Sequence, residues 1–295
     1  MILLAGGTGH LGGALTRLLS ARGSRVRVLS RDPSRAAVPE GVELVAGDVR
    51  IPSCLEPALV DVETVISAIT GFGPGASGPR EVDLQGNRNL IAAAAAAGVK
   101  RFILVSIHGA SSDHPLELYR AKFSAEESLR SSNLEWTIVR PTVFMELWAG
   151  IIGDSLIKSG AAMVFGRGEN PINFVSVHDV ARFVDLAVAD RRLDGRTLEV
   201  GGPQNLTLNE VVEVVAANYS RHPKARHIPL TALRVGAVLV RPVRPDLAGL
   251  IQAAIRMDSV NMRFDVSELS AEYPQIQLTR LADAIRRQHP VAVKG

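Results

Sequence analysis

The sequence predicts an α/β protein: a doubly wound parallel Rossmann sheet followed by a smaller, mostly helical C-terminal substrate lobe. Three observations predict it. Short Val-, Ile- and Leu-rich runs alternate with helical patterns through the first half of the 295 residues. The runs are continuously apolar, as expected of strands covered on both faces. A glycine-rich turn joins the first run to the first helical pattern. Right-handed crossovers between parallel strands then complete the fold.

Taken in order, "MILLAG" reads as a strand and 11–22 as a helix, "RVRVLS" as a strand ending in a basic turn, and "VELVAGD" as a strand before a helix at 53–60. "ETVISAI" precedes a helix at 80–97, "RFILVSI" one at 116–131, and "WTIVRP" is the sixth strand. Near Pro141 the alternation stops. "FGRGENPINF" reads as turns and a short strand, "DVARFVDLAVA" as a helix, "RTLEVGG" and "KARHIPL" as strands. "ALRVGAVLVRPVRPDLAGLIQAAI" is broken by arginines and prolines, and reads as two amphipathic helices that cover a pocket or meet a partner. These elements divide the chain into a nucleotide-binding domain at 1–200, with 141–172 contributing to the substrate pocket, and a substrate lobe at 201–295.

Composition narrows the classes. The chain is 46% hydrophobic, enough for a full core, and its formal charge of +3 is spread along its length, which speaks against nucleic acid as a partner. No run reaches the roughly eighteen apolar residues of a membrane span. The single Cys54 rules out an intrachain disulfide, and no apolar leader precedes the first glycine, so a cytoplasmic location is expected. His and Cys show no metal-ligand spacing, and no metal is expected.

Glycine inside a helix costs about 1 kcal/mol relative to alanine, so Gly6, Gly9 and Gly12 at the start of the first helix need a reason. Close approach of a pyrophosphate to backbone N–H groups at a helix N-terminus supplies one. The spacing is GxxGxxG rather than the commoner GxGxxG. Gly6, Thr8, Gly9, His10, Leu11 and Gly12 are therefore expected to form the phosphate loop. At the end of the second strand Ser30 stands where an NAD site places an acid. Arg31 and Arg35 follow, and suit a 2′-phosphate, with Asp32 the alternative as a ribose ligand. NADP(H) is the expected cofactor and NAD(H) the less favoured one. Asp48, with Val49, is expected at the adenine edge, though a turn-forming role suits Asp48 equally. Ala68 is expected to border the nucleotide at the end of the fourth strand.

This loop, the "SR" ending, "VKRFILVSIHGA", "LYRAKFSAEESLRSSNLEWTIVRP" and "FVSVHDVARFVDLAV", all in order, resemble the atypical short-chain dehydrogenase/reductases of the NmrA-like type over roughly residues 1–215. The resemblance implies a tyrosine that protonates a carbonyl oxygen as hydride arrives, and a lysine four residues later that lowers its pKa and holds the nicotinamide ribose. Lys122 matches the lysine. Leu118 stands at the tyrosine position and Tyr119 one residue later, still on a shared helix face. Ile107 stands where the usual serine would align, between Ser106 and His108. Tyr119, Lys122 and His108 are the catalytic candidates, and Ser106 and Lys122 also cofactor contacts. Phe144, Met145 and Trp148 are the substrate-binding candidates. Asp179 reads as a helix N-cap rather than as a His178–Asp179 catalytic pair. The expected function is an NADPH-dependent reductase of a small apolar or conjugated carbonyl, enone or quinone-like substrate. The alternative is a non-catalytic NADP(H)-binding redox sensor or assembly factor. An epimerase or dehydratase with tightly held NAD shares the fold, but Ser30, Arg31 and the displaced tyrosine argue against it. A small molecule is the expected partner, and a homodimer is allowed.

Overall fold

The computed structural model describes residues 1–73 and 75–288. Its first elements are β1 (Ile2–Ala5), α1 (His10–Ala21), β2 (Val26–Ser30), β3 (Glu43–Ala46), β4 (Thr64–Ser67), α2 (Asn87–Ala96), β5 (Arg101–Val105), α3 (Glu117–Arg130) and β6 (Glu135–Pro141). There follow β7 (Val143–Phe144), α4 (Met145–Ser159), β8 (Ala162–Phe165), β9 (Ile172–Val175), α5 (Val177–Ala189) and β10 (Arg196–Val200). The chain continues through β11 (Gln204–Leu206), α6 (Leu208–Asn218), β12 (Ala225–Ile228), α7 (Leu230–Val240), α8 (Pro245–Ser259), α9 (Ser267–Glu272) and α10 (Leu281–Gln288).

A seven-stranded sheet runs in the order β10-β6-β5-β4-β1-β2-β3, and each neighbouring pair is parallel. Every residue of β1, β2 and β5 is buried, so these strands read as largely apolar runs, with Arg27 and Arg101 buried in ion pairs to Glu43 and Asp194. The order reverses at β1, so the crevice at the carboxyl ends of β1 and β4 is the switch point where open sheets of this kind take ligands. Leu3, Leu29, Val65, Phe102, Leu104 and Ile138 from the strands form one core cluster with Leu90, Ala125 and Leu129 from α2 and α3.

The chain forms two compact units, one of Met1–Pro141 with Val180–Val200, the other of Thr142–Asp179 with the residues from Gly201 onward. Segment 142–179 groups with the later residues because β9 pairs with both β7 and β11, in the registers Val143↔Phe174 and Gln204↔Phe174. In the second unit β8 and β12 form a separate parallel pair, and the helices are α4, α6, α7, α8, α9 and α10 among the described residues.

Two expected helices come out differently. Residues 53–60 form two short 3₁₀ turns, Pro52–Cys54 and Pro57–Leu59, because Pro57 removes a backbone donor and crowds the preceding turn. The stretch at 80–97 opens as a π-helix, Arg80–Gly86, before α2 begins. Such wide turns are uncommon and concentrate at functional sites. Asp179, read as an N-cap, lies in the first turn of α5, where its carboxylate accepts from the Thr279 N–H at 2.6 Å and hydroxyl at 2.8 Å. The cap is supplied by Ser176 Oγ, which accepts from the His178 N–H at 3.2 Å, and by buried Glu146, which accepts from the Val177 N–H at 3.0 Å.

Phe102 is fully buried in the middle of β5. Phe102→Ala is expected to cost about 3–5 kcal/mol, read as a lowered urea midpoint with an unchanged m-value.

Candidate functional site

The glycine loop lies at the carboxyl end of β1, and its three glycines answer different constraints. Gly6 has φ +86°, and a Cβ there would lie 2.6 Å from the Ala68 carbonyl oxygen at the end of β4. A Cβ on Gly12 would lie 1.9 Å from the Gly6 carbonyl oxygen, so this glycine lets α1 seat directly on the loop. Gly9 differs: it is exposed, and a Cβ there would come no nearer to protein than 3.4 Å. It is the N-cap of α1, with no side-chain cap hydrogen bond and no acid in the first turn. The first-turn N–H groups thus face an uncapped helix end whose partial positive charge suits an anion. Thr8 and His10 beside it are exposed, whereas Leu11 is buried in the core and offers only its backbone.

At the end of β2, Ser30 is buried and its Oγ accepts from the Asp32 N–H at 3.2 Å. Asp32 caps the following 3₁₀ turn, accepting from the Ser34 N–H at 3.2 Å and hydroxyl at 2.6 Å. Arg31 and Arg35 are exposed. Asp48, after β3, accepts from the Arg50 N–H at 2.9 Å and is forked by the Arg50 guanidinium. This is the turn-forming role. The Arg50 hydrogen bond, joined by the charge of Arg31, holds the Asp48 carboxyl below its ordinary value. Val49 is buried where a Cβ on Gly86 would lie 2.7 Å from its Cγ2.

Lys122 projects from the second turn of α3 and is buried. Its ammonium lies 3.0 Å from the fully buried Asp83 carboxylate, and donates to the carbonyls of Ile69 at 2.8 Å and Val105 at 3.0 Å. The ammonium is thus held by two backbone carbonyls, one just past β4 and one at the last residue of β5, and by the charge of Asp83. Asp83, in the π-helical stretch, also accepts from the Gly71 N–H at 2.7 Å.

One turn further along α3, the fully buried carboxylate of Glu126 is forked by Arg140 at 2.9 and 2.6 Å and met by Arg130 at 3.0 Å. The Ser106 hydroxyl also donates to it. Arg140 donates onward to Glu199 at 2.9 Å, across the β6–β10 register that sets these two residues opposite one another. Glu199 in turn lies 2.7 Å from His108 Nδ1. Burial alone would raise the Glu199 carboxyl, but the hydrogen bonds and charges of His108 and Arg140 outweigh it and hold the carboxyl below its ordinary value. A carboxylate only accepts, so Nδ1 is the donor in this contact.

The structure brings Tyr119 to the same loop. Its Cε1 would lie 3.8 Å from a Cβ on Gly109, and its ring stacks on buried His114 with centroids 3.8 Å apart. Met145 is 2% exposed in the core of the second unit, Trp148 packs edge-on to Phe165 at 6.2 Å, and Phe144 is half-buried. Sequence reasoning missed Asp83, Glu126, Arg140 and Glu199. A signal existed for two of them: Lys122 and Glu126, and Asp83 and Asn87, are buried polar pairs four residues apart on otherwise apolar helix faces.

A phosphate-ready loop at the switch point of a parallel sheet defines a dinucleotide-binding protein. Residues 6–191 match the family described as NAD(P)H-binding, and the chain belongs to it. It is 31% identical over 237 residues to the photosystem II assembly factor Ycf39 of Synechocystis, covering 79% of this chain and 72% of that protein. It is 29% identical to an NAD(P)H azoreductase of Xenophilus azovorans, covering 78% and 77% respectively. The fold superposes on an NADPH-dependent quinone oxidoreductase of Escherichia coli with a TM-score of 0.78 at 22% identity, covering 98% of this chain and 99% of that one.

Gly9→Val is expected to leave the urea midpoint unchanged while weakening NADPH by about tenfold to a hundredfold, the worth of one charge-assisted contact. Gly12→Ala is expected to lower stability itself, by about 1–3 kcal/mol or more. Because the Glu199 carboxyl is depressed from 4.5 in the folded chain, its stabilisation is present above that pH and is lost as pH falls through the folded value. Glu199→Gln is therefore expected to lower stability at pH ~7, by less than about 1 kcal/mol because the side chain is partly solvated, and the deficit is expected to shrink as pH falls below 4.5.

Proposed function

We infer that the chain is an NADPH-dependent oxidoreductase acting on a small apolar or conjugated carbonyl, enone or quinone-like acceptor. The observation that carries this is the uncapped end of α1 at Gly9, together with exposed Arg31 and Arg35 beside an Asp32 already committed to its own turn. Gly6, Thr8, Gly9, His10, Leu11 and Gly12 would hold the pyrophosphate, and Ser30, Arg31 and Arg35 the 2′-phosphate. Asp48, Val49, Ala68 and Ser106 would border the rest, Ser106 through its backbone because its hydroxyl serves Glu126. NADPH, when bound, supplies hydride.

His108 is the proton donor, acting at Nε2 with Glu199 fixing the ring, and Tyr119 is the second candidate. Lys122 acts by holding the carbonyls of Ile69 and Val105. A bond from it to ribose needs one of those acceptors released. Phe144 and Trp148 are the substrate contacts, and Met145 supports them from the core. The similarity to an azoreductase supports a reductase, and the lone cysteine suits the cytoplasm.

A second reading, an NADP(H)-binding redox sensor or assembly factor, is favoured by Leu118 and Ile107 at the expected catalytic positions and by the likeness to an assembly factor. Calorimetric titration is expected to show NADPH binding more tightly than NADH. Arg31→Asp should weaken NADPH about tenfold or more and NADH little, since a charge-assisted contact to the 2′-phosphate is lost. Equal losses for both nucleotides would overturn the NADPH assignment. Oxidation of NADPH by a quinone, enone or azo acceptor supports the enzyme; tight binding with no turnover across such a panel supports the second reading.

A further inference from the structure

The tip formed by α7, the turn at 241–244 and the start of α8 is absorbed by none of this chemistry. Val235, Val238 and Leu239 share one face of α7 and are 60%, 71% and 71% exposed, and Val243 in the turn is 79% exposed. Leu247, early in α8, extends the patch. The opposite face of α7 is already used, through buried Leu233 and Ala237, so the outward apolar stripe contributes nothing to the fold of its own unit. Scattered exposed apolar residues are ordinary; this many within thirteen residues at one tip mark a contact surface.

The charges around the stripe select what it contacts. Arg234, Arg241 and Arg244 are exposed along it, and Arg234 and Arg241 have no ion-pair or side-chain hydrogen-bond partner among the described residues. The acid in the segment, Asp246, is forked by Arg244 at 2.9 and 3.0 Å. A second copy of this tip would set arginine against arginine with no carboxylate to spare. A bilayer rich in anionic headgroups meets both features at once, phosphates for the guanidiniums and the acyl boundary for the valines and Leu239. The eleven residues of α7 are too few to span a bilayer, which leaves an orientation in the interface plane.

We propose that the α7–α8 tip docks the protein on anionic lipid surfaces, with Val238, Leu239 and Val243 entering the headgroup–acyl boundary and Arg234 and Arg241 pairing with lipid phosphates. The test is co-flotation of the full chain with vesicles of phosphatidylglycerol and phosphatidylcholine, against vesicles of phosphatidylcholine alone. Binding is expected to the anionic vesicles only, weakening as salt rises above about 0.1 M, where charges are screened beyond about 10 Å. Leu239→Asp should abolish it. Arg234→Gln and Arg241→Gln should each weaken it roughly fivefold, with NADPH affinity and circular dichroism unchanged. Equal binding to both vesicle types, or binding that survives Leu239→Asp in a folded variant, would overturn the proposal. So would a dimer dissociated by Leu239→Asp in a chain that ignores vesicles, which assigns the stripe to a second copy.

Discussion

The carboxyl edge of the central sheet depends on one buried cation. An ammonium removed from water is tolerated only where it is paired and hydrogen-bonded, and Lys122 pairs with Asp83 of the π-helical stretch and donates to the carbonyls of Ile69, just past β4, and Val105, the last residue of β5. Removing one partner of such a pair typically costs about 3–5 kcal/mol, because the other charge stays buried and unmet. The consequence reaches the phosphate loop. Ile69, whose carbonyl Lys122 holds, follows Ala68, and the Ala68 carbonyl is the group against which Gly6 is packed without a Cβ. The position of the loop at β1 therefore rests on the pinned end of β4.

A second buried charge, one helical turn away, extends the same design toward the proton-transfer candidate. Glu126 gathers Arg140, Arg130 and Ser106; Arg140 bridges to Glu199, and Glu199 to His108. Signs alternate along this path, so each group stabilises the next in a medium of low dielectric. Glu126 and then Glu199 hold Arg140 more firmly protonated than a free guanidinium, and Arg140 and His108 hold Glu199 ionised. His108 thus sits at the solvent end of a path built by Glu199 of β10, Arg140 of β6 and Glu126 of α3, and Glu199 is the member that meets its ring. The two units differ in this respect. The first concentrates buried charge at its sheet ends, whereas the expected substrate side chains of the second lie in or beside an apolar core.

By itself the sequence determined the fold class and the NAD(P)H-binding family, and it marked the glycine-rich turn after β1. Strands buried on both faces leave continuous apolar runs, and a glycine-rich strand–turn–helix is a local pattern, complete within a dozen residues. Local patterns also marked where they would fail: Pro57 broke the expected helix at 53–60, and the run at 80–97 opened as a π-helix around buried Asp83 and Asn87. What only tertiary structure decided is which polar residues meet. Glu126 and Arg140 are fourteen positions apart, Arg140 and Glu199 fifty-nine, and His108 and Glu199 ninety-one. Nothing in the spacing of such residues encodes a contact, because the pairing is created by strand order: β6 lies between β5 and β10, and that neighbourhood exists only once the sheet has formed. The same reason separates Asp179, which reads locally as a cap and is held by Thr279 a hundred residues away, from Ser176 and Glu146, which do the capping. The burial of Met145 was likewise a tertiary outcome, since an apolar side chain after a strand serves a pocket wall or a core equally well until its neighbours are in place.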